Sequence, residues 1–561
     1  MKKFAWLIPA LLVFLHQLIF ARYLSQTIAY ELIAAQRVWQ GQMPFRDFYF
    51  DDLPLLACLR VPEVLLGQIL QMSPLDSLSS WLAASHGSML GALPCATGIV
   101  LAHLLCTWLV QFLSLTFCFV LIEQSKLTSR ALTACRVLLV ALTVAQLAAG
   151  FSSGSLQHLA FLLMQPFLCL IAIDCAEGVA VDSVRSKQRW LAALLCGIAG
   201  ALSIKFLALP LVLYLARALL LQKWSALQNR PALVSALLPF LALTSLFVLD
   251  SAAWHELTSW IITLKLTNVH FENMMTFGNN TSPDRREVIY ALTVVVMLAA
   301  AMQRHRATLV PLIVVSMYGF VLFICSVQLL SDQCGLLTFS CVTALFYQIA
   351  FAFYSFGDHY PRLLLGRAKW VKSAAISIAL VLFCPFLFAK EFFEIARIKT
   401  AIKIAPTLGF VAREDLRAAI LRFSNVGDSI IVQSGRLTPG CSESLLTGRR
   451  LAGYFISYEA FGALNNLLGR HADGTWLGQP KEYLSDLDVK LSERLMADVA
   501  KDQPAFFMLE GGEMEMLAKN EQIYARILAS YYQGEVAQYF STCEGPREYS
   551  DWNYDFYVMR H

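Results

Sequence analysis

Charge is scarce in this chain. Only 15% of its 561 residues are Asp, Glu, Lys or Arg, whereas soluble domains carry about a quarter, so an ordinary soluble protein is excluded. The net charge of +4 is too small to indicate a nucleic-acid partner. Cysteine is sparse too, and its 14 copies lie mostly in apolar runs, which excludes a secreted disulfide scaffold. The sequence contains no P-loop, dinucleotide fingerprint, Cys-x-x-Cys pair or His-Glu-x-x-His motif.

Hydrophobic residues are abundant, at 57% of the chain, which excludes intrinsic disorder and predicts a polytopic membrane protein. About 20 apolar residues are needed to cross a bilayer. Runs of this kind occur at 4–21, 97–122, 131–150, 155–176, 232–250, 286–303, 308–327, 336–356 and 371–389. The first run could be a signal peptide, but its apolar stretch is long and no small-residue cleavage site follows it, so we interpret it as a retained anchor.

The segment 190–221 is too long for one span and too short for two full ones. Short cytoplasmic loops collect Lys and Arg. If 190–221 is a hairpin of two short helices that turns near Lys205, the basic loops of the membrane half fall on the cytoplasmic side. We therefore predict about eleven membrane helices with a cytoplasmic N-terminus. The long loops 22–96 and 251–285 then face outward.

A second composition begins at about Lys390, where charged residues become frequent and no further spanning run occurs. Strand-like runs lie at 429–432, 505–509, 536–540 and 555–559, and helix-like stretches lie near 411–423, 485–501 and 519–533. This alternation predicts an extracytoplasmic α/β domain over 391–561, after a transmembrane domain over 1–390. Cys441 and Cys543 would lie on the oxidising side, where they form either a disulfide or two unrelated thiols.

The first outer loop contains the acidic residues of most interest. After the first span, a helix-like stretch ends at Gly41, a residue typical of a helix C-cap. The following turn places Asp47, Asp51 and Asp52 near the outer membrane surface. Together with Glu31 they make four carboxylates within one short stretch of an apolar chain. The alternative interpretation is that these acids cap helices and solvate a loop.

The same loop resembles the GT-C superfamily of membrane glycosyltransferases, in particular its protein mannosyltransferase and aminoarabinose transferase branch. The matching residues are Tyr30, Ala34-Ala35, Gly41, Pro44-Phe45-Arg46-Asp47-Phe48 and Pro54-Leu55. The branch carries an acidic pair just after the first helix, and Thr27-Ile28 stands at that place here. Either Glu31 and Asp47 carry the chemistry, or the activity is altered or lost.

The resemblance implies transfer of a sugar from a polyprenyl-phosphate donor to an extracytoplasmic lipid, glycan or protein acceptor. Such a reaction needs a carboxylate to take a proton and a positive group or metal to hold the leaving phosphate. Asp47 is the first candidate for the general base and Glu31 the second. Asp51 and Asp52 would orient the acceptor or bind a divalent metal, Mg or Mn. The matched loop also supplies Arg46 and Tyr30 as substrate-binding residues.

Lys205 is the second candidate region, because an ionisable residue among apolar helices is a functional candidate by default. In the predicted topology it lies within reach of a lipid phosphate, and the alternative is a lysine that snorkels at a helix end. His103 and His158 lie in apolar spans and are interpreted as packing residues. Two other functions stay open: a lipid-linked sugar transporter or flippase, and a non-catalytic membrane scaffold. The predicted location is the inner membrane of a bacterium.

Overall fold

The structure of the chain is a computed structural model. It describes residues 26–50, 52–71, 94–125, 127–147, 153–177, 186–220, 229–258, 310–326, 339–350, 420–433, 440–455, 481–510, 531–533 and 554–559, with a few positions in 10–17 and residue 149. The helices are α1 (Gln26–Trp39), α2 (Pro54–Gln71), α3 (Pro94–Gln124), α4 (Ser129–Ala145), α5 (Leu156–Glu177), α6 (Ser186–Gly200), α7 (Leu209–Leu220), α8 (Arg230–Leu249), α9 (Ser251–Glu256), α10 (Val310–Ser326), α11 (Gly440–Thr447) and α12 (Lys481–Asp502). The strands are β1 (Ser429–Gln433), β2 (Arg450–Leu451), β3 (Phe506–Glu510), β4 (Tyr531–Gln533) and β5 (Tyr554–Met559).

Helices occur wherever a predicted span falls within the described residues. Two of those helices, Gly98–Gln124 and Leu156–Cys175, are long and apolar enough to cross a membrane. The other predicted spans that are described form shorter apolar helices. The predicted spans at 286–303 and 371–389, and most of the span at 4–21, lie outside the described residues. The number of eleven spans and the orientation of the N-terminus therefore stay predictions.

Contacts within the chain divide it into two compact units, and neither is continuous in sequence. The helical unit contains Met1–Ala21, Leu104–Ser245 and Asn279–Phe393. The mixed unit contains Arg22–His103, Leu246–Gly278 and Glu394–His561. The first loop, with its candidate acids, thus shares a unit with the C-terminal region. The predicted domain boundary near residue 390 lies outside the described residues and stays a prediction.

In the helical unit, the predicted hairpin at 190–221 is confirmed. Helices α6 and α7 are both too short to span alone, and a 3-10 turn over Ile204–Phe206 connects them. Gly200 ends α6 where the chain is crowded: a Cβ there would lie 2.6 Å from Pro210 Cγ and 2.7 Å from Pro239 Cγ. Only glycine allows this close approach without a shift of its neighbours.

Charged side chains inside the helical unit are paired. Asp174 on α5 is buried and accepts hydrogen bonds from two buried arginines: Arg189 at 2.9 Å and Arg217 at 2.7 Å. Burial of an unpaired charge in an apolar interior is costly, so this pairing ties α5 to α6 and α7. His158 is buried, and its Nδ1 accepts the N–H of Gly154 at 2.8 Å, which confirms its interpretation as a packing residue.

The mixed unit contains a five-stranded sheet with the order β2-β1-β3-β5-β4. Strand β1 is parallel to β2 and β3, whereas β5 is antiparallel to β3 and β4. Three β-branched residues of the interior strand β1, Ile430, Ile431 and Val432, are buried, as expected of a strand covered on both faces.

Three of the predicted strands are confirmed, at 429–432, 505–509 and 555–559, each within one residue of its observed bounds. The predicted strand at 536–540 lies outside the described residues. The predicted helix at 519–533 is wrong at its end, because β4 occupies 531–533 and pairs with β5. Pairing with a neighbouring strand there overrides local helix propensity.

Candidate functional site

The Asp47 turn, defined as residues 43–49, begins where α1 is forced to end. Gly41 has a φ of +84°, in the left-handed region that glycine adopts without steric cost. Its N–H donates to the Val38 carbonyl at 2.9 Å, and the N–H of Gln42 donates to the Arg37 carbonyl at 3.0 Å. These bonds satisfy the last carbonyls of the helix, as in a glycine C-cap. The predicted cap at Gly41 is therefore confirmed.

Backbone hydrogen bonds fix Asp47 within its turn. The N–H of Phe45 donates to the Phe48 carbonyl at 2.8 Å, and the N–H of Asp47 donates to the Met43 carbonyl at 2.8 Å. The Asp47 carboxylate in turn accepts the N–H of Met43 at 2.7 Å. Phe45 has a φ of +71°, an uncommon conformation for a residue with a Cβ. The turn is thus closed by two backbone hydrogen bonds and by a bond from the backbone to the Asp47 carboxylate itself.

A guanidinium lies between two carboxylates at this turn. Arg46 Nη2 contacts Asp47 Oδ2 at 2.7 Å, and Arg46 Nη1 contacts Asp250 Oδ2 at 2.9 Å. The other oxygen of Asp250 accepts the N–H of Ala253 and caps α9. The Asp47 and Arg46 side chains are 31% and 45% exposed, whereas Asp250 is 13% exposed. The pair formed by Arg46 and Asp47 is therefore accessible to solvent, whereas Asp250, the second partner of Arg46, is fixed at the start of α9.

The hydrogen bond from Arg46 holds the pKa of Asp47 below its ordinary value, and the N–H of Met43 acts in the same direction. The same bond with Asp47 raises the pKa of Arg46. Asp47 is consequently a carboxylate at neutral pH, able to accept a hydrogen bond or a proton but not to donate one. Arg46 places a positive charge directly beside that carboxylate.

Glu31 lies in a different setting from Asp47. It is fully buried, and Arg60 donates to its Oε2 from Nε at 3.0 Å and from Nη2 at 2.5 Å. Arg60 also contacts Glu63 at 2.6 Å, and His103 Nδ1 lies 2.8 Å from the other oxygen of Glu63. This buried ion network joins α1, α2 and the start of α3. His103 is confirmed as a packing residue, since it takes part in this network.

The structure places the remaining predicted residues separately. Tyr30 is buried and stacks on Phe50, with ring centroids 5.4 Å apart. Asp52 is half-buried, and Asp51 lies outside the described residues. Lys205 is exposed and belongs to the helical unit, where its backbone carbonyl accepts the hydroxyl of Tyr318 at 2.7 Å. The predicted sharing of one site by Asp47 and Lys205 stays a prediction.

A divalent metal was one of the predicted ways to hold the phosphate. Within the part of the chain that the structure describes, no group of three or more His, Cys, Asp or Glu side chains could hold a metal ion. One of the two predicted oxygen ligands, Asp51, lies outside that part. The described positive group nearest to Asp47 is Arg46.

Sequence reasoning missed Arg37, which connects the first loop to the C-terminal region. This buried residue donates from Nη1 to the Gly453 carbonyl at 2.5 Å and from Nη2 to the Leu451 carbonyl at 2.6 Å. Its guanidinium also lies 5.4 Å from the centre of the Phe48 ring. Burial of an arginine requires a buried acceptor, but the sequence shows neither that Arg37 is buried nor where its acceptor lies.

Several solved structures are similar to this chain. No protein-family profile matches the chain, and no curated protein matches it. The crystal structure of ArnT from Cupriavidus metallidurans bound to undecaprenyl phosphate is similar over 99% of this chain and 97% of that one, with 12% identity and a TM-score of 0.46. At this identity, the residues that act must be identified from contacts within this chain.

Proposed function

We propose that this chain is an integral membrane glycosyltransferase, located in a bacterial inner membrane. It moves a sugar from a polyprenyl-phosphate donor to a lipid, glycan or protein acceptor on the extracytoplasmic side. The observation that supports this proposal is the Asp47 carboxylate, which is fixed by backbone bonds, partly exposed and adjacent to a guanidinium. The resemblance of the first loop to the GT-C superfamily supplies the class of reaction.

In the proposed reaction, Asp47 accepts the proton of the acceptor hydroxyl. The acceptor oxygen forms a bond to the anomeric carbon of the sugar while the bond from that carbon to the phosphate oxygen breaks. Polyprenyl phosphate leaves with the electron pair of the broken bond. Arg46, whose guanidinium reaches both Asp47 and Asp250, stabilises the negative charge on the leaving phosphate.

Because Arg46 pairs with Asp47, binding of the polyprenyl-phosphate donor can activate Asp47 as a base. A carboxylate that accepts hydrogen bonds from a guanidinium is a weak base, because that bond lowers its pKa. A donor phosphate competes for the same N–H groups, and each bond that it takes from Asp47 makes the carboxylate more basic. Asp250 retains Arg46 Nη1 at 2.9 Å, so the guanidinium stays beside the turn during this exchange.

Asp47 is therefore the acting base in this proposal, and Lys205 and Asp52 are kept as substrate-binding residues. Glu31 is a weaker candidate for the second catalytic carboxylate, because it is buried and paired with Arg60. Its burial favours a structural contribution to the first loop. Thr27 and Ile28 stand where the superfamily carries its acidic pair. Together with the burial of Glu31, this substitution supports the second candidate function, a non-catalytic membrane scaffold.

Asp47→Asn tests the proposal, with Asp428→Asn as the matched control. Asp428 also accepts a backbone N–H in its own turn, from Asn425 at 2.6 Å, and an amide oxygen preserves that bond in either variant. Lipid-linked sugars are measured by mass spectrometry in a deletion strain complemented with each variant at equal expression. We expect the donor lipid to accumulate in the deletion strain. Complementation with the wild type or with Asp428→Asn should remove the accumulated donor, whereas complementation with Asp47→Asn should not.

Two results would contradict the proposal. Clearance of the donor lipid by Asp47→Asn at the wild-type level would remove Asp47 from the mechanism and favour the scaffold. A deletion strain without any accumulated polyprenyl-linked sugar would overturn the donor class.

A further inference from the structure

Residues 451–455, which we call the docking segment, continue from strand β2 and run beside the Asp47 turn within the mixed unit. The N–H of Tyr49 donates to the Tyr454 carbonyl at 2.7 Å, and Tyr49 and Phe455 form an isolated parallel bridge. Arg37 donates to two carbonyls of the same segment. Residues more than 400 positions apart in sequence are therefore joined by backbone and side-chain bonds at the predicted catalytic turn.

Tyr454 makes the contact that bears most directly on Asp47. Its hydroxyl is buried and donates to the Phe45 carbonyl at 2.6 Å. Phe45 is the residue with positive φ, a conformation that persists only where surrounding contacts hold it. It lies two positions before Asp47, so a change in its backbone would redirect both the Asp47 carboxylate and the Arg46 guanidinium.

Helix α12 holds Tyr454 in turn. Asp498 Oδ2 accepts the N–H of Tyr454 at 2.6 Å, and Asp502 Oδ2 accepts the N–H of Gly453 at 2.9 Å. The Arg494 guanidinium lies 4.2 Å from the centre of the Tyr454 ring, within the range of a cation–π interaction. The tyrosine is thus fixed at its backbone, its ring and its hydroxyl.

We propose that Tyr454 is a positioning residue for the Asp47 carboxylate, so that the C-terminal region completes the transferase site formed by the first loop. This inference rests on the proposed function, because it takes Asp47 as the acting base. Tyr454 itself touches neither reacting group. It acts through Phe45, whose carbonyl it binds, and the loss of that bond lets the Asp47 turn open.

Tyr454→Phe removes this hydroxyl and retains the ring over which Arg494 lies. Ser444→Ala is the matched control, because the buried Ser444 hydroxyl also donates to a backbone carbonyl of the C-terminal region, that of Arg449 at 2.8 Å. The full chain is exchanged in detergent, and hydrogen exchange is measured for the residues 43–49. A typical hydrogen bond predicts roughly two- to tenfold faster exchange there in Tyr454→Phe. We expect exchange at 43–49 to rise in Tyr454→Phe by more than exchange in strand 429–433, and to stay unchanged in Ser444→Ala.

Transfer kinetics supply the second readout. We expect Tyr454→Phe to lower kcat by a similar factor while the KM for the polyprenyl-linked donor is unchanged, because the base is misplaced rather than the donor released. Unchanged exchange at 43–49 would overturn the inference, and so would faster exchange with an unchanged kcat. Transfer that survives Asp47→Asn overturns the proposed function. Transfer abolished by Asp47→Asn but unaffected by Tyr454→Phe overturns this inference alone.

Discussion

Asp498 gives the mixed unit a stability that depends on pH. Burial raises the pKa of this carboxyl from its ordinary value of 3.8 to about 6, and the N–H of Tyr454 and the Arg494 guanidinium only partly oppose that effect. The folded protein therefore retains a proton on Asp498 at pH values where the unfolded chain has lost it. The contribution of Asp498 to stability is therefore highest below about pH 4 and declines as the pH rises to about 6.

The difference between 3.8 and about 6, at 1.36 kcal/mol for each unit of pKa, corresponds to about 3 kcal/mol above pH 6. Asp498→Asn removes this term, because the amide carries no charge and still offers an oxygen to the N–H of Tyr454. We expect the variant to match the wild type near pH 4 and to be more stable by up to about 3 kcal/mol at pH 7.5.

Hydrogen exchange of the strand 429–433 measures this difference, since both proteins are compared at the same pH and intrinsic exchange cancels. At pH 7.5 we expect exchange in Asp498→Asn to be slower by up to about 100-fold, the equivalent of 3 kcal/mol. Equal exchange at both pH values would show that Asp498 titrates as an ordinary aspartate. A variant less stable at pH 7.5 than the wild type would show that the bonds to the carboxylate outweigh its burial.

Two further substitutions test the interiors of the two units. Glu31→Gln should lower the free energy of unfolding of the mixed unit by about 1.5–3 kcal/mol, because buried Arg60 loses one of its two charged partners and keeps Glu63. Glu123→Gln, the control in a more exposed pair, should cost about 1 kcal/mol or less. Thermal unfolding of purified protein compares the two, and equal costs would contradict the burial of the network. Gly200→Ala should cost about 1–3 kcal/mol, because the new Cβ meets Pro210. An unchanged melting temperature would refute that close approach.

Local patterns predicted local structure well. Gly41 ends α1 because glycine tolerates a positive φ, and this requirement is visible in the sequence. The hairpin around Lys205 followed from the length of its apolar run and from the placement of charge. The β-branched run at 430–432 likewise predicted β1, which pairs with a strand on each side.

Pairing between distant residues could not be predicted in the same way. Glu31 is the second candidate base predicted from the sequence, whereas its carboxylate is buried against Arg60, 29 residues further along. Periodicity shows which face of a helix is apolar, but not which partner neutralises a charge on that face. The contacts of Arg37 and Tyr454 cross more than 400 residues, and no local signal specifies them. The candidate base was therefore predictable from its motif, but the contacts that fix it were not.

The discontinuity of the mixed unit has a consequence for biogenesis. Its first segment, Arg22–His103, leaves the ribosome long before its last, Glu394–His561. During synthesis the first loop is complete before the carbonyls of Leu451 and Gly453 exist. Arg37 must therefore stay hydrated until the C-terminal region has been synthesised. Closure of such distant contacts is slow. A nascent chain released before residue 451 would thus carry every candidate catalytic group of the first loop without the C-terminal carbonyls that Arg37 binds.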